Sequence, residues 1–180
     1  MTKRGWLVFA VAVCMLACKK NADELPTPSQ NGSDIFGCSI DGHFWVPAGF
    51  GIVPTAPKLE ARYGGNHTVF INARDFSTSP TETEFEIHLK DITGTGTYLL
   101  NEATAKYPSQ SASYAYYVRR KVTPEHEWIT NTQYTGRVEV TAYDTVNNFI
   151  SGTFEFNAVN LDDGAQPLHV TDGRFDVKLQ

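Results

Sequence analysis

Cysteine is scarce in this 180-residue chain, and what there is cannot staple a fold. Cys14 and Cys18 belong to an apolar N-terminal stretch. That leaves Cys38, and a single thiol makes no internal disulfide. No Cys-x-x-Cys or His-Glu-x-x-His spacing occurs, so no zinc motif is present and no metal or cofactor is expected. A long apolar run is also missing. The longest, Gly5 to Ala17, has 13 residues, where a spanning helix needs about 20. Base is in deficit, with 15 Lys and Arg against 20 Asp and Glu. An acidic surface excludes nucleic acid as a partner and electrostatic adhesion to anionic lipid. Catalytic signatures are absent too. There is no Gly-x-Ser-x-Gly elbow, and Gly94-Thr95-Gly96 lacks the Lys and the helix of a phosphate loop. No catalytic residues are assigned, and a non-enzymatic role is expected.

What is present begins at the N-terminus. Lys3 and Arg4 precede the short apolar stretch, and Met15-Leu16-Ala17-Cys18 ends it. Basic start, apolar length and terminal Cys together match an export signal. The last four residues resemble a bacterial lipobox. The resemblance implies cleavage of residues 1–17 and acylation of Cys18. Two or three acyl chains, at about 0.8 kcal/mol per buried CH₂, hold a protein on a bilayer. The mature chain keeps 13 basic residues against 20 acidic, a net charge of −7, so attachment rests on the lipid. Residues 18–34 continue as the lipidated Cys and a polar tether, semi-extended around Pro26 and Pro28. Asn21-Ala22-Asp23-Glu24 resembles the short acidic signals that send some Bacteroidetes-type lipoproteins to the cell surface.

Residues 35–180 carry strand patterning throughout. Ile35–Ile40 and His43–Val46 flank the turn pair Asp41-Gly42. Phe85, Ile87 and Leu89 alternate with Glu84, Glu86 and His88. Val138, Val140 and Ala142, then Phe154 and Phe156, then Phe175, Val177 and Leu179 repeat the period of two. Trp128–Asn131 reads as a further short strand. About ten strands with short turns and no long helix predict one all-β domain, a single antiparallel β-sandwich or a flattened barrel. Trp45, Phe154, Phe156 and Phe175 are expected to meet in its core, and Cys38 to be a buried structural thiol.

FGCSIDGHFW, GTGTYLL, TGRVEVTAYD, ISGTFEFNA and HVTDGRF follow one another over residues 35–178. In that order they resemble an uncharacterised family of Bacteroidetes-type lipoproteins with a small all-β domain. The resemblance implies a small all-β lipoprotein domain; the lipobox and the tether lead to the expectation that it is lipid-anchored at the outer membrane, facing periplasm or exterior. The resemblance carries no activity and no catalytic residues.

One stretch stands out as a candidate site. Tyr107, Tyr114, Tyr116 and Tyr117 lie close to Arg119, Arg120 and Lys121. Exposed tyrosines stack on sugar faces and cations grip acidic groups, so a glycan, a peptide or a partner envelope protein is the expected ligand. The alternatives are a β-barrel carrier of a small apolar ligand and an envelope glycan hydrolase with facing carboxylates. Asp144-Thr145-Val146 resembles an O-glycosylation site of exported proteins, with Thr145 as acceptor. His88 and His169 fall on polar strand faces and are read as solvated. Asp162-Asp163-Gly164 is read as a polar turn.

Overall fold

The computed structural model describes residues 23–50, 56–78, 80–104 and 112–180. The export segment, Cys18 and Tyr107 lie outside the described residues. Eleven strands follow in chain order: β1 Ile35–Ile40, β2 His43–Trp45, β3 Leu59–Gly64, β4 Thr68–Asp75, β5 Glu82–Leu89 and β6 Gly96–Leu100. Then come β7 Tyr114–Arg120, β8 Pro124–Ile129, β9 Gly136–Asp144, β10 Phe149–Asn160 and β11 Leu168–Lys178. No helix occurs among the described residues.

The strands form one continuous antiparallel sheet in the order β2-β1-β11-β10-β8-β7-β5-β4-β3, with β9 on β10 and β6 on β9. β10 turns the corner. Its first ten residues pair with β9 and β11, and its last two, Val159 and Asn160, pair with Ile129 and Trp128 of β8. The sheet thereby doubles over itself, and its two halves face each other across one core. At the far side the Gln180 amide donates to the Ala61 carbonyl at 2.9 Å. The end strands β2 and β3 do not pair, so the barrel stays open.

Local chemistry explains the turns. Asp41 and Gly42 have φ of +48° and +83°, the two left-handed centres of a type I′ hairpin. At β8 the structure differs from the expected Trp128–Asn131. The strand starts at Pro124, because the turn after β7 is short and Arg120 already faces Pro124. It stops before Asn131, whose side chain accepts from the Gln133 and Tyr134 amides at 2.8 Å each. An Asx turn competes there with the ladder.

Aromatic rings fill the core. Trp45 meets Phe85 edge-on at 4.7 Å and Phe36 at 5.9 Å. Phe36 lies 5.0 Å from Phe154, which reaches Phe156 and Phe175 at 6.3 and 6.4 Å. Cys38 is fully buried among them, and burial pushes its thiol pKa far up.

The end of the segment read as tether is fastened to the sheet. Pro26 packs on Gly37, where an added Cβ would come within 2.7 Å of the proline ring. The Asp176 carboxylate accepts the Asn31, Gly32 and Ser33 amides at 3.1, 2.8 and 3.0 Å, and the Ser29 hydroxyl at 2.7 Å. Residues 26–34 therefore lie against the domain and do not swing free of it.

Candidate functional site

Period-two alternation sends the odd residues of β4 and β5 into the core and the even ones to the outer face. Across the half formed by β3, β4, β5, β7 and β8, the outer face collects Glu60, Arg62, Asn72, Arg74, Glu84, Glu86, Tyr116 and Arg120. Register brings them together. Asn72 faces Glu86 and Glu60, Arg74 faces Glu84, Glu86 faces Tyr116, and Glu82 faces Arg120.

The charges lock one another. Arg74 donates to Glu84 at 2.9 Å and to Glu60 at 2.8 Å. Arg120 reaches the other Glu84 oxygen at 2.6 Å and Glu82 at 3.7 Å. The Asn72 amide nitrogen donates to Glu86 at 3.2 Å, and the Tyr114 hydroxyl donates to the same carboxylate. Tyr116 donates to Glu127. Burial and that contact with Glu127 raise the Tyr116 pKa. A groove of about 260 Å³ opens among Arg62, Asn72, Arg74, Glu84, Glu86, Tyr116 and Arg120.

Two groups in this groove have no counterpart. The Asn72 side chain is 2% exposed, yet its carbonyl oxygen receives no hydrogen bond. A buried acceptor left unpaired costs about 1–3 kcal/mol. Arg62 is exposed and lies over the Phe70 ring at 5.6 Å, with no carboxylate partner among the described residues.

The tyrosine cluster expected from the sequence is split. Tyr116 and Arg120 line the groove. Tyr114 is fully buried against His88 at 5.3 Å, with its hydroxyl on Glu86. Tyr117 points the opposite way, into the core, 4.6 Å from Phe85, and burial pushes its pKa up to about 12. Rings so enclosed cannot stack on a sugar arriving from solvent. Arg119 is exposed outside the groove, 3.6 Å from Glu125. His88 departs from its expected solvated setting. It is fully buried, 4.4 Å from Phe70, with Nδ1 on the Ala112 carbonyl and Nε2 without a partner. Burial lowers its pKa.

Three further positions lie apart from the groove. Thr145 is exposed in the turn between β9 and β10. Asp144 holds that turn by accepting the Val146 and Asn147 amides at 2.8 and 2.7 Å. His169 is exposed and bonded to Asn157 at 2.6 Å. Asp163 accepts the Ala165 amide at 2.8 Å within a polar turn.

The groove belongs to the part of the chain that matches a known family. Residues 54–177 match the profile described as domain of unknown function DUF6252. The chain belongs to the DUF6252 family. The DUF6252 region runs from just before β3 to near the end of β11, so it holds every groove residue. β1 and β2, with the Phe36-Trp45 pair that closes the core, precede the matched DUF6252 residues. No curated protein and no solved structure matches the chain.

Alternation had marked Glu84, Glu86 and His88 as one polar face. Arg62, Asn72 and Arg74 carry no such signal as site residues. Their own strands alternate too, but nothing in the sequence sets which strand lies beside which.

Proposed function

We propose that this protein is an outer-membrane lipoprotein, anchored through acylated Cys18, whose β domain binds a ligand without converting it. The observation that carries the binding part is the groove between β3 and β7, with an unpaired buried acceptor and an open guanidinium on one sheet face. Its carboxylates support binding over turnover. Glu84 is held between two guanidiniums. Glu86 takes hydrogen bonds from Asn72 and Tyr114. They are neighbours on one face of one strand, whereas glycoside hydrolysis places two carboxyl groups on either side of the scissile bond. An apolar carrier needs a chamber, and the described core is occupied by its own rings.

The anchor is tested by feeding cells labelled palmitate and following the protein by fractionation. Wild-type protein takes up label and stays with the outer membrane. Cys18→Ala carries none and is released. Retention of residues 1–17 with an unmodified sulfur at position 18 refutes the anchor. Thr145 in its exposed turn is proposed as an O-glycan acceptor. A glycan mass present on the native protein and missing from Thr145→Ala is the expected result.

A further inference from the structure

We infer that the groove of Arg62, Asn72 and Tyr116 takes a single polyhydroxylated ring, a sugar unit, whose neighbouring hydroxyls answer the open guanidinium and the unpaired amide oxygen. This rests on the binding reading above and names its ligand class. Three observations lead there. First, the unsatisfied groups are of opposite kind. Asn72 Oδ1 needs a donor, and Arg62 offers N–H groups with no acceptor among the described residues. A hydroxyl donates and accepts at once, so vicinal hydroxyls answer both, while a bare anion answers only Arg62. The amide orientation is set by its surroundings, because the Asn72 nitrogen faces Glu86 and Glu84 at 3.2 and 3.4 Å.

Second, the groove is not cationic. Arg74 and Arg120 are held by Glu60, Glu82 and Glu84, and Glu86 adds a carboxylate answered only by hydrogen bonds, so the surplus charge disfavours an anion and a neutral ligand fits better. Third, the size fits. A groove of about 260 Å³ lies just below the usual range of about 300–1,000 Å³ for small-molecule pockets and suits one ring. Half-buried Tyr116 lines it and gives the ring an aromatic surface for its C–H face.

The test uses the full chain in detergent micelles, with titration calorimetry and saturation-transfer NMR. The probes are glucose, galactose, maltoheptaose and inorganic phosphate. At least one sugar is expected to bind. Free sugar and the terminal unit of a chain are distinguished by whether the monosaccharides or only maltoheptaose bind. Arg62→Ala removes an exposed side chain and leaves the fold intact. It weakens sugar binding about tenfold. Asn72→Ala weakens it to a similar extent. Arg119→Ala, outside the groove, leaves it unchanged. The assignment is overturned if phosphate alone binds, if no sugar binds at tens of millimolar, or if binding is indifferent to Arg62→Ala. Palmitate labelling of Cys18 is scored separately, so a lost anchor and a wrong ligand class give different results.

Discussion

The Gly32 amide donates to Asp176 Oδ1 at 2.8 Å across 144 residues of chain. The same carboxylate takes the Ser151 hydroxyl at 2.6 Å from β10. One buried acidic group thus ties residues 29–33 to the two longest strands of the domain. The attachment is made of hydrogen bonds to a fully buried charge, so each end depends on the other.

Asp176→Ala leaves these donors facing an empty site. A loss of about 3 kcal/mol is expected in urea unfolding, because buried donors lose their acceptor and only some regain water. Amide exchange at Asn31, Gly32 and Ser33 rises in parallel. Loss of stability without faster exchange at these three amides would mean the clasp is not what holds the segment.

Acid sensitivity follows from the same group. Burial pushes the Asp176 pKa up, but hydrogen bonds from Ser151, Ser33, Ser29 and Asn31 outweigh it and leave it at about 2. A carboxyl with a depressed folded-state pKa stabilises above its unfolded value of 3.8, and that contribution is lost as pH falls from about 4 through 2. Thermal melts should drop across that window in wild type. In Asp176→Asn they should start lower and fall less.

His88 predicts a second pH dependence, at higher pH. Burial disfavours its charged form, so the unfolded chain takes the proton first. Stability from this residue is whole above the ordinary value of 6.5 and declines as pH falls below it. His88→Phe keeps the ring between Phe70 and Tyr114 and removes the proton site. Its melting temperature should be flatter between pH 7.5 and 5 than that of wild type. An unchanged slope would place the titration elsewhere.

Two glycines should fail for different reasons. A Cβ at Gly173 would lie 2.4 Å from the Phe154 carbonyl oxygen and 2.5 Å from its ring. Gly173→Ala is therefore expected to cost about 1–3 kcal/mol through crowding between β10 and β11. Gly42 has open space around it but φ of +83°. Gly42→Ala costs about 1–2 kcal/mol through backbone strain, and Gly42→Asn costs less. Equal effects of Ala and Asn at position 42 would contradict the strain argument.

Trp45 lies outside the matched family residues yet closes the core. Its indole N–H donates to the Thr83 hydroxyl at 2.9 Å. Trp45→Ala should lose about 3–5 kcal/mol by denaturant titration. Trp45→Phe keeps the contacts with Phe36 and Phe85, gives up one hydrogen bond of about 1 kcal/mol, and should fall well short of that loss.

The strands were legible because alternation is written locally. Glu84, Glu86 and His88 against Phe85, Ile87 and Leu89 need only one strand to be seen. His88 shows the limit. It shares its parity and its face with the glutamates, but parity says which face a side chain takes and nothing of what covers that face. The tyrosine run shows the same limit. Tyr114, Tyr116 and Tyr117 are adjacent in sequence, and the pleat sends Tyr117 to the opposite side. Among them only Tyr116 lines the groove.

By itself the sequence determined the strand pattern, the Asp41-Gly42 hairpin, the buried Cys38 and the aromatic core, since each follows from residue type and the spacing of near neighbours. Only the tertiary structure decided that Arg62, Asn72, Glu86 and Tyr116 share one groove, and that Asp176 clasps residues 29–33. Those groups come from strands and loops far apart in the chain, and lateral pairing depends on which edges meet when the whole sheet folds, a choice no single segment encodes.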